Sequence, residues 1–307
     1  IPIPATPDRV DLRALPIGYR EDSTPWTLGL LGTHVLVAGA TGAGKGSVLW
    51  SILRALAPLI RAGVVEVWAI DPKGGMELYR GRALFTRYVD DSPDDMADLL
   101  DDAASFTRAR AQNLKTWTRK LTPTVEHPFR LILVDEFAFL SAYQPDHRLA
   151  GRIDAAVQII CSQGRGPGVG MLVCVQDPSK EVVPYRQLFP TRVALRLDNA
   201  RQVEMVLGED ARDRGARCDE IPEWMYGTGY VKLDGQREPT RVRAAYPTDR
   251  DIDLLAAGYP APVELPPVPA QPASATAVAD PYLTEGELDP EWRAFVRSRT
   301  PAGKALR

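Results

Sequence analysis

A chain of 307 residues, 45% hydrophobic and 25% charged, can bury a full-sized core and falls in the ordinary soluble globular class, as one large domain or two small ones. Its formal net charge of -3 excludes attraction of polyanions by an overall positive field, so a grip on nucleic acid would need local basic loops. Cys161, Cys174 and Cys218 form no CxxC pair, which argues against a disulfide framework or zinc site and for a reducing compartment. No apolar run reaches the roughly 18 residues of a membrane helix, and nothing resembles a secretory signal peptide.

The chain opens at Ile1 in the Pro-rich tract IPIPATPD, which reads as the continuation of an upstream segment. A membrane anchor of the parent protein would lie there, placing this cytoplasmic part at the inner face of the cell membrane. Two short β-prone runs around a polar turn, LPIGYREDSTPWTLGL, make residues 1–30 a lead-in with a hairpin. From 31 to 258 apolar strands alternate with helices. HVLVA (34–38) is a continuous apolar run ending in glycine, and Val48, Ile52, Leu56 and Leu59 recur close to helical spacing in residues 46–62. VVEVWAID (64–71) reads as a second buried strand. Ser92 is a natural N-cap, Pro93 suits the first helical position, and Asp94 and Asp95 suit the positive end of the helix dipole. Met96, Leu99, Leu100, Ala103 and Phe106 then mark one face of a long helix. FRLILVDE (129–136), VGMLVCVQ (169–176) and TRVALRL (191–197) are further strands, with a helix over 151–164. This alternation predicts an α/β fold, a mostly parallel sheet flanked by helices on both faces. Residues 259–307 read as a Pro- and Ala-rich linker followed by a short C-terminal helix at 289–299.

GATGAGKGS, Gly39 to Ser47, directly follows a strand and opens a helix, the context that marks a P-loop. Gly39, Ala40, Thr41, Gly42, Ala43 and Gly44 would curl so that successive N–H groups face one anion. The helix dipole adds to that field, and Lys45 reaches the β/γ-phosphates of ATP. The competing reading is a Gly-rich turn that merely joins strand to helix. One position departs from the pattern: Gly46 stands where a Ser or Thr hydroxyl normally touches Mg²⁺. Ser47 lies about 100° further round the helix. The metal shell is then completed either by a water beside Asp135 or by a local adjustment that brings Ser47 to the ion.

LILVDE delivers Asp135 and Glu136 at the carboxyl end of an apolar strand, where open α/β sheets bind ligands. Asp135 would hold Mg²⁺, directly or through water, and Glu136 would orient and deprotonate the attacking water. Alone, such a pair reads as a solvated loop; the P-loop upstream makes it a site.

In order and approximate spacing, THVLVAGATGAGKGS, WAIDPKGGMEL, LILVDEFAFL, GRGPGVGMLVCVQDP and PTRVAL make residues 15 to 255 resemble the FtsK/SpoIIIE family of DNA-translocating ATPases. Within it the chain is similar to the actinobacterial branch that includes conjugative transfer proteins. The resemblance implies a RecA-like P-loop NTPase that forms a homo-hexameric ring around double-stranded DNA and pulls it by hydrolysing ATP. It makes Lys45 the phosphate-binding lysine, Asp135 and Glu136 the metal and water residues, and Gln176 the sensor of the γ-phosphate. An amide capping the turn before Pro178 is the plain alternative for Gln176. Two departures stand out. Val175 replaces a usual Thr before the sensor, and the Ser-Arg pair that carries the arginine finger is absent. Arg201, about one turn early, is the candidate finger, with Arg192 and Arg165 as alternatives, and surface salt bridges are the plain reading of all three.

Basic residues are scattered through 108–120 and 192–217 without a stripe that would mark the DNA loops. The residues after the linker are too few for a winged-helix module. Two other functions fit the motifs: the motor of a specialised secretion system, usually built as tandem repeats, and a nucleotide-binding scaffold without hydrolysis.

Overall fold

The apolar runs become strands of one sheet in the computed structural model, which describes residues 10–116 and 118–262. The opening Pro-rich tract, the linker from residue 263 and the helix expected at 289–299 lie outside the described residues. The strands are β1 Leu15–Arg20, β2 Pro25–Leu28, β3 Val35–Ala38, β4 Val65–Ile70, β5 Arg87–Val89, β6 Phe129–Val134, β7 Val169–Val175, β8 Thr191–Leu195, β9 Thr228–Lys232 and β10 Thr240–Ala244. The helices are α1 Lys45–Arg61, α2 Pro93–Leu114, α3 His147–Gln163, α4 Ala200–Leu207 and α5 Asp249–Gly258. Sheet order is β2-β1-β10-β9-β8-β3-β7-β6-β4-β5.

From β8 to β5 all neighbours are parallel. From β8 to β2 all are antiparallel. The hairpin expected in the lead-in is β1–β2, and it extends the main sheet through β10. β9 and β10, to which the sequence reading assigns no element, connect it to the parallel half; their half-buried TGYVK and TRVRA lack the continuous apolar run of a buried strand.

Alternate residues of each parallel strand feed two cores, because a strand's side chains change face at every step. Val35, Val37, Val67, Ala69, Leu131 and Leu133 pack with α1 on one face. Leu36, Ala38, Trp68, Ile70, Ile132 and Val134 pack with α2 and α3 on the other. The expected caps form: the Ser92 side chain accepts from Asp95 N at 3.2 Å, with Pro93 leading α2. α3 begins four residues before the apolar pattern of 151–164 because Asp146 accepts from the backbone N–H groups of Arg148 and Leu149. In α5, Thr248 and Asp251 close a capping box.

His34 is the residue just before β3, fully buried, with Nδ1 accepting from Met171 N at 3.1 Å. Burial, helped by Arg165, pulls its pKa from 6.5 to about 4, so the folded state keeps the ring neutral where the unfolded chain protonates it. The stability held by the neutral ring is therefore complete above pH 6.5 and declines as pH falls toward 4. Its full extent is about 3 kcal/mol. Asn can keep the acceptor without titrating. In urea melts at pH 7.5 and 4.5, wild type should lose more stability than His34→Asn by roughly 2–3 kcal/mol; equal losses would refute the assignment.

Candidate active site

Because β3, β4, β6, β7 and β8 run parallel, their carboxyl ends share one edge of the sheet. The residues that follow them are Gly39, Asp71, Asp135, Gln176 and Arg196. There the sheet opens into a cleft of about 960 Å³ lined by Thr41 to Ser47, Lys73, Glu77, Asp135 and Gln176, with Tyr226 and Tyr246 contributed by the antiparallel half.

The loop is shaped by two left-handed residues, Gly42 at φ 71° and Gly44 at φ 96°. Gly44 is doubly constrained. A Cβ there would lie 2.8 Å from Gly227 Cα, since Gly227 N donates to Ala43 O at 2.9 Å and holds the turn before β9 against the loop. Lys45 reaches back over the loop, its Nζ donating to Gly39 O at 2.7 Å and Ala40 O at 3.4 Å. Burial lowers its pKa, with Lys73 adding to the shift and Glu136 and Asp135 opposing it.

Asp135 and Glu136 are 5% and 1% exposed, far from the solvated loop that the pair could have formed. Burial pushes the Asp135 carboxyl up to about 7; Lys73 opposes the shift, and Asp71, Glu77 and Glu136 add to it. Lys73 Nζ stands 3.3 Å from Glu136 Oε2 and 3.7 Å from Asp135 Oδ2. Glu136 Oε1 accepts from Gln176 N at 3.2 Å, and the Gln176 side-chain oxygen accepts from Thr41 Oγ1 at 3.0 Å. Thus Gln176 joins the P-loop to Glu136 in one chain of hydrogen bonds. Val175 beside it is fully buried in the core, the environment that suits an apolar side chain there.

The donors offered to a cation are oxygens, the set that Mg²⁺ takes. Among the described residues no group of three or more His, Cys, Asp or Glu could hold a metal unaided. Asp135 and Ser47 both line the cleft.

None of the three candidate arginine fingers lines this cleft. Arg201 is exposed on α4, as a residue serving a neighbouring subunit would have to be. Arg192 is occupied by the carbonyls of Phe189 and Val206 at 2.8 and 3.0 Å. Arg165 donates to Gly32 O at 2.6 Å and to Asp234 at 2.7 Å, near the amino ends of β7 and β3 and so at the opposite edge of the sheet. The arginine that does meet the P-loop is Arg196, whose Nη2 donates to Thr41 O at 2.8 Å. Sequence reading also passes over Lys73 and Glu77. The DPK after β4 is the signal that could have found Lys73; Glu77 has none, being placed by Asp71, which accepts from Glu77 N and Leu78 N, both at 2.9 Å.

A family model described as the FtsK/SpoIIIE family matches residues 10–221. Similar curated proteins include the DNA translocase FtsK of Treponema pallidum (strain Nichols), 24% identical over 264 residues that cover 80% of this chain and 31% of that protein. Another is the DNA translocase FtsK of Tropheryma whipplei (strain TW08/27), 26% identical, covering 79% and 34%. The chain therefore spans about a third of the length of these relatives. In fold it is similar to the pCW3 conjugation coupling protein TcpA solved with ATPγS, with TM-score 0.66 at 20% identity over 80% of this chain and 68% of that one. It is similar also to the cytoplasmic domain of the Type VII secretion ATPase EccC of Thermomonospora curvata, with TM-score 0.62 at 24% identity over 85% and 33%. These likenesses make the architecture a RecA-like P-loop NTPase fold.

Proposed function

The chain belongs to the FtsK/SpoIIIE family, and from that premise we propose that it is an ATPase motor that moves double-stranded DNA. Its setting in this reading is the transfer of a conjugative plasmid or integrative element, or chromosome segregation. The observation that carries the proposal is the wiring of Glu136: buried, facing Lys73 on one side, and joined through Gln176 to Thr41 of the phosphate loop. A scaffold that only binds nucleotide has no need of a buried carboxylate held at a fixed distance from its phosphate loop.

In this mechanism the P-loop amides and Lys45 bind the phosphates, and Asp135 holds Mg²⁺, directly or through water. The ion, when bound, offsets the charge that builds on the transferring phosphoryl group. Glu136 orients a water on the γ-phosphate and takes its proton as the new P–O bond forms and the bond to the bridging oxygen of ADP breaks. Gln176, touching both Thr41 and Glu136, shifts when the γ-phosphate leaves. Homo-hexamer formation, an arginine finger from Arg201 of the next subunit, and anchoring of the parent protein to the membrane complete the proposal.

ATP turnover measured with and without linear duplex DNA tests it. Turnover should rise with DNA, and the half-saturating DNA concentration should climb steeply with salt, because phosphate tracking releases counterions. Stimulation by a secreted-protein signal peptide in place of DNA would assign the chain to a secretion motor, and binding without turnover would leave a scaffold.

A further inference from the structure

Gly46 is not explained by its backbone. It is the second residue of α1 and is not among the glycines with positive φ, so nothing in its conformation forbids a side chain. A glycine inside a helix costs roughly 0.5–1 kcal/mol relative to alanine. What excludes a side chain is space. A Cβ on Gly46 would stand 2.8 Å from Glu77 Cδ and 3.0 Å from Glu77 Oε2, and closer still to Oε1.

Glu77 cannot simply swing aside. Its Oε1 accepts from Trp50 Nε1 at 2.9 Å, and Trp50 is only 4% exposed on the same helix. Its backbone N–H is held by Asp71 Oδ2 at 2.9 Å. Glu77 is thus held at its backbone and at one carboxylate oxygen, and the carboxylate lies over the first turn of α1 against the place a Cβ at position 46 would take. Oε2 accepts no hydrogen bond among the described residues. Glu77 also shares the cleft with Asp135, Lys45 and Lys73.

Resting on the reading of this cleft as an ATP site, we propose that the Glu77 carboxylate replaces the missing P-loop hydroxyl as the group that meets Mg²⁺ on that flank. The glycine at 46 and the glutamate at 77 are then one exchange, a neutral hydroxyl for an anionic oxygen supplied by a different loop. This replaces both completions of the metal shell expected from sequence, a water beside Asp135 and a displaced Ser47. An anionic oxygen suits Mg²⁺, which takes carboxylates alongside substrate phosphates.

The test uses Mn²⁺ as the ion, its free concentration read by electron paramagnetic resonance in the presence of ATPγS. ATPγS affinity is measured separately in EDTA by calorimetry. Glu77→Gln should weaken Mn²⁺ binding by about 10–100-fold, while ATPγS affinity in EDTA is retained or rises, because an anion has been removed beside the phosphates, which also shows that the site is folded. The double variant Gly46→Ser/Glu77→Ala, in which the hydroxyl has room, should regain most of the Mn²⁺ affinity. If Glu77→Gln holds Mn²⁺ as tightly as wild type while wild type binds ATPγS normally, this proposal fails alone, and loss of Mn²⁺ affinity in Ser47→Ala would then put Ser47 in its place. If wild type binds no ATPγS in either condition, the reading of the cleft fails and takes this proposal with it.

Discussion

In Glu136→Gln, ATP still binds and turnover falls by about 10²–10⁴-fold, the range that a positioned general base contributes. The substitution is nearly isosteric, and the amide oxygen can keep accepting from Gln176 N, so the hydrogen-bond chain to Thr41 survives. What disappears is the basic oxygen, together with the charge that Lys73 faces at 3.3 Å. Lys73 then has Asp135 as its carboxylate at 3.7 Å, so no buried cation is stranded and the fold is kept. Single-turnover hydrolysis, with ATPγS affinity measured on the same preparation, reads both halves of the expectation. Unchanged hydrolysis would remove Glu136 from the role of base, and lost binding would make it a structural residue.

Lys45→Ala behaves in the opposite way, with the loss appearing in binding. The Lys45 ammonium already reaches over the loop carbonyls of Gly39 and Ala40 and lies within the field of Glu136 and Asp135. A phosphate placed in the loop gains a cation that the protein has partly desolvated. Hydrogen bonds to charged groups are worth about 1.5–3 kcal/mol, so ATPγS affinity should drop on the order of 10–100-fold. Calorimetry in EDTA isolates this effect from the metal, and an unchanged affinity would mean that the phosphates sit elsewhere. The two variants separate the groups that hold the nucleotide from the group that attacks it.

The strands most readily read from sequence are those whose both faces are buried. HVLVA, LILVDE and VGMLVCVQ carry continuous apolar runs, and VVEVWAID one broken only by Glu66, which pairs with Arg130, because each strand feeds two cores. β9 and β10 escape notice because half-buried antiparallel strands carry polar residues that match loop composition equally well. The site divides along a similar line. Asp135, Glu136 and Gln176 follow buried strands directly and Lys45 closes the loop after one, so strand ends locate them; Lys45, Asp135 and Gln176 line one cleft, and Glu136 accepts from Gln176 N beside it. Glu77 and Arg196 depend on how a loop folds over a helix and how a side chain reaches the neighbouring turn, and these are set by tertiary contacts that no local pattern records. The puzzle at Gly46 was visible in the sequence; its explanation, 31 positions later, was not.

The backbone bond from Gly227 to Ala43 joins the phosphate loop to the antiparallel half of the sheet through main-chain atoms. Gly227 O in turn accepts from Ala244 N at 2.9 Å, at the end of β10, and β10 carries the β1–β2 edge. Mechanically, the four antiparallel strands form an arm whose root is clamped to the loop that grips ATP. Together with the β8–β9 ladder, the Gly227–Ala43 bond makes the phosphate loop one of the places where the antiparallel strands are tied to the parallel half through backbone alone.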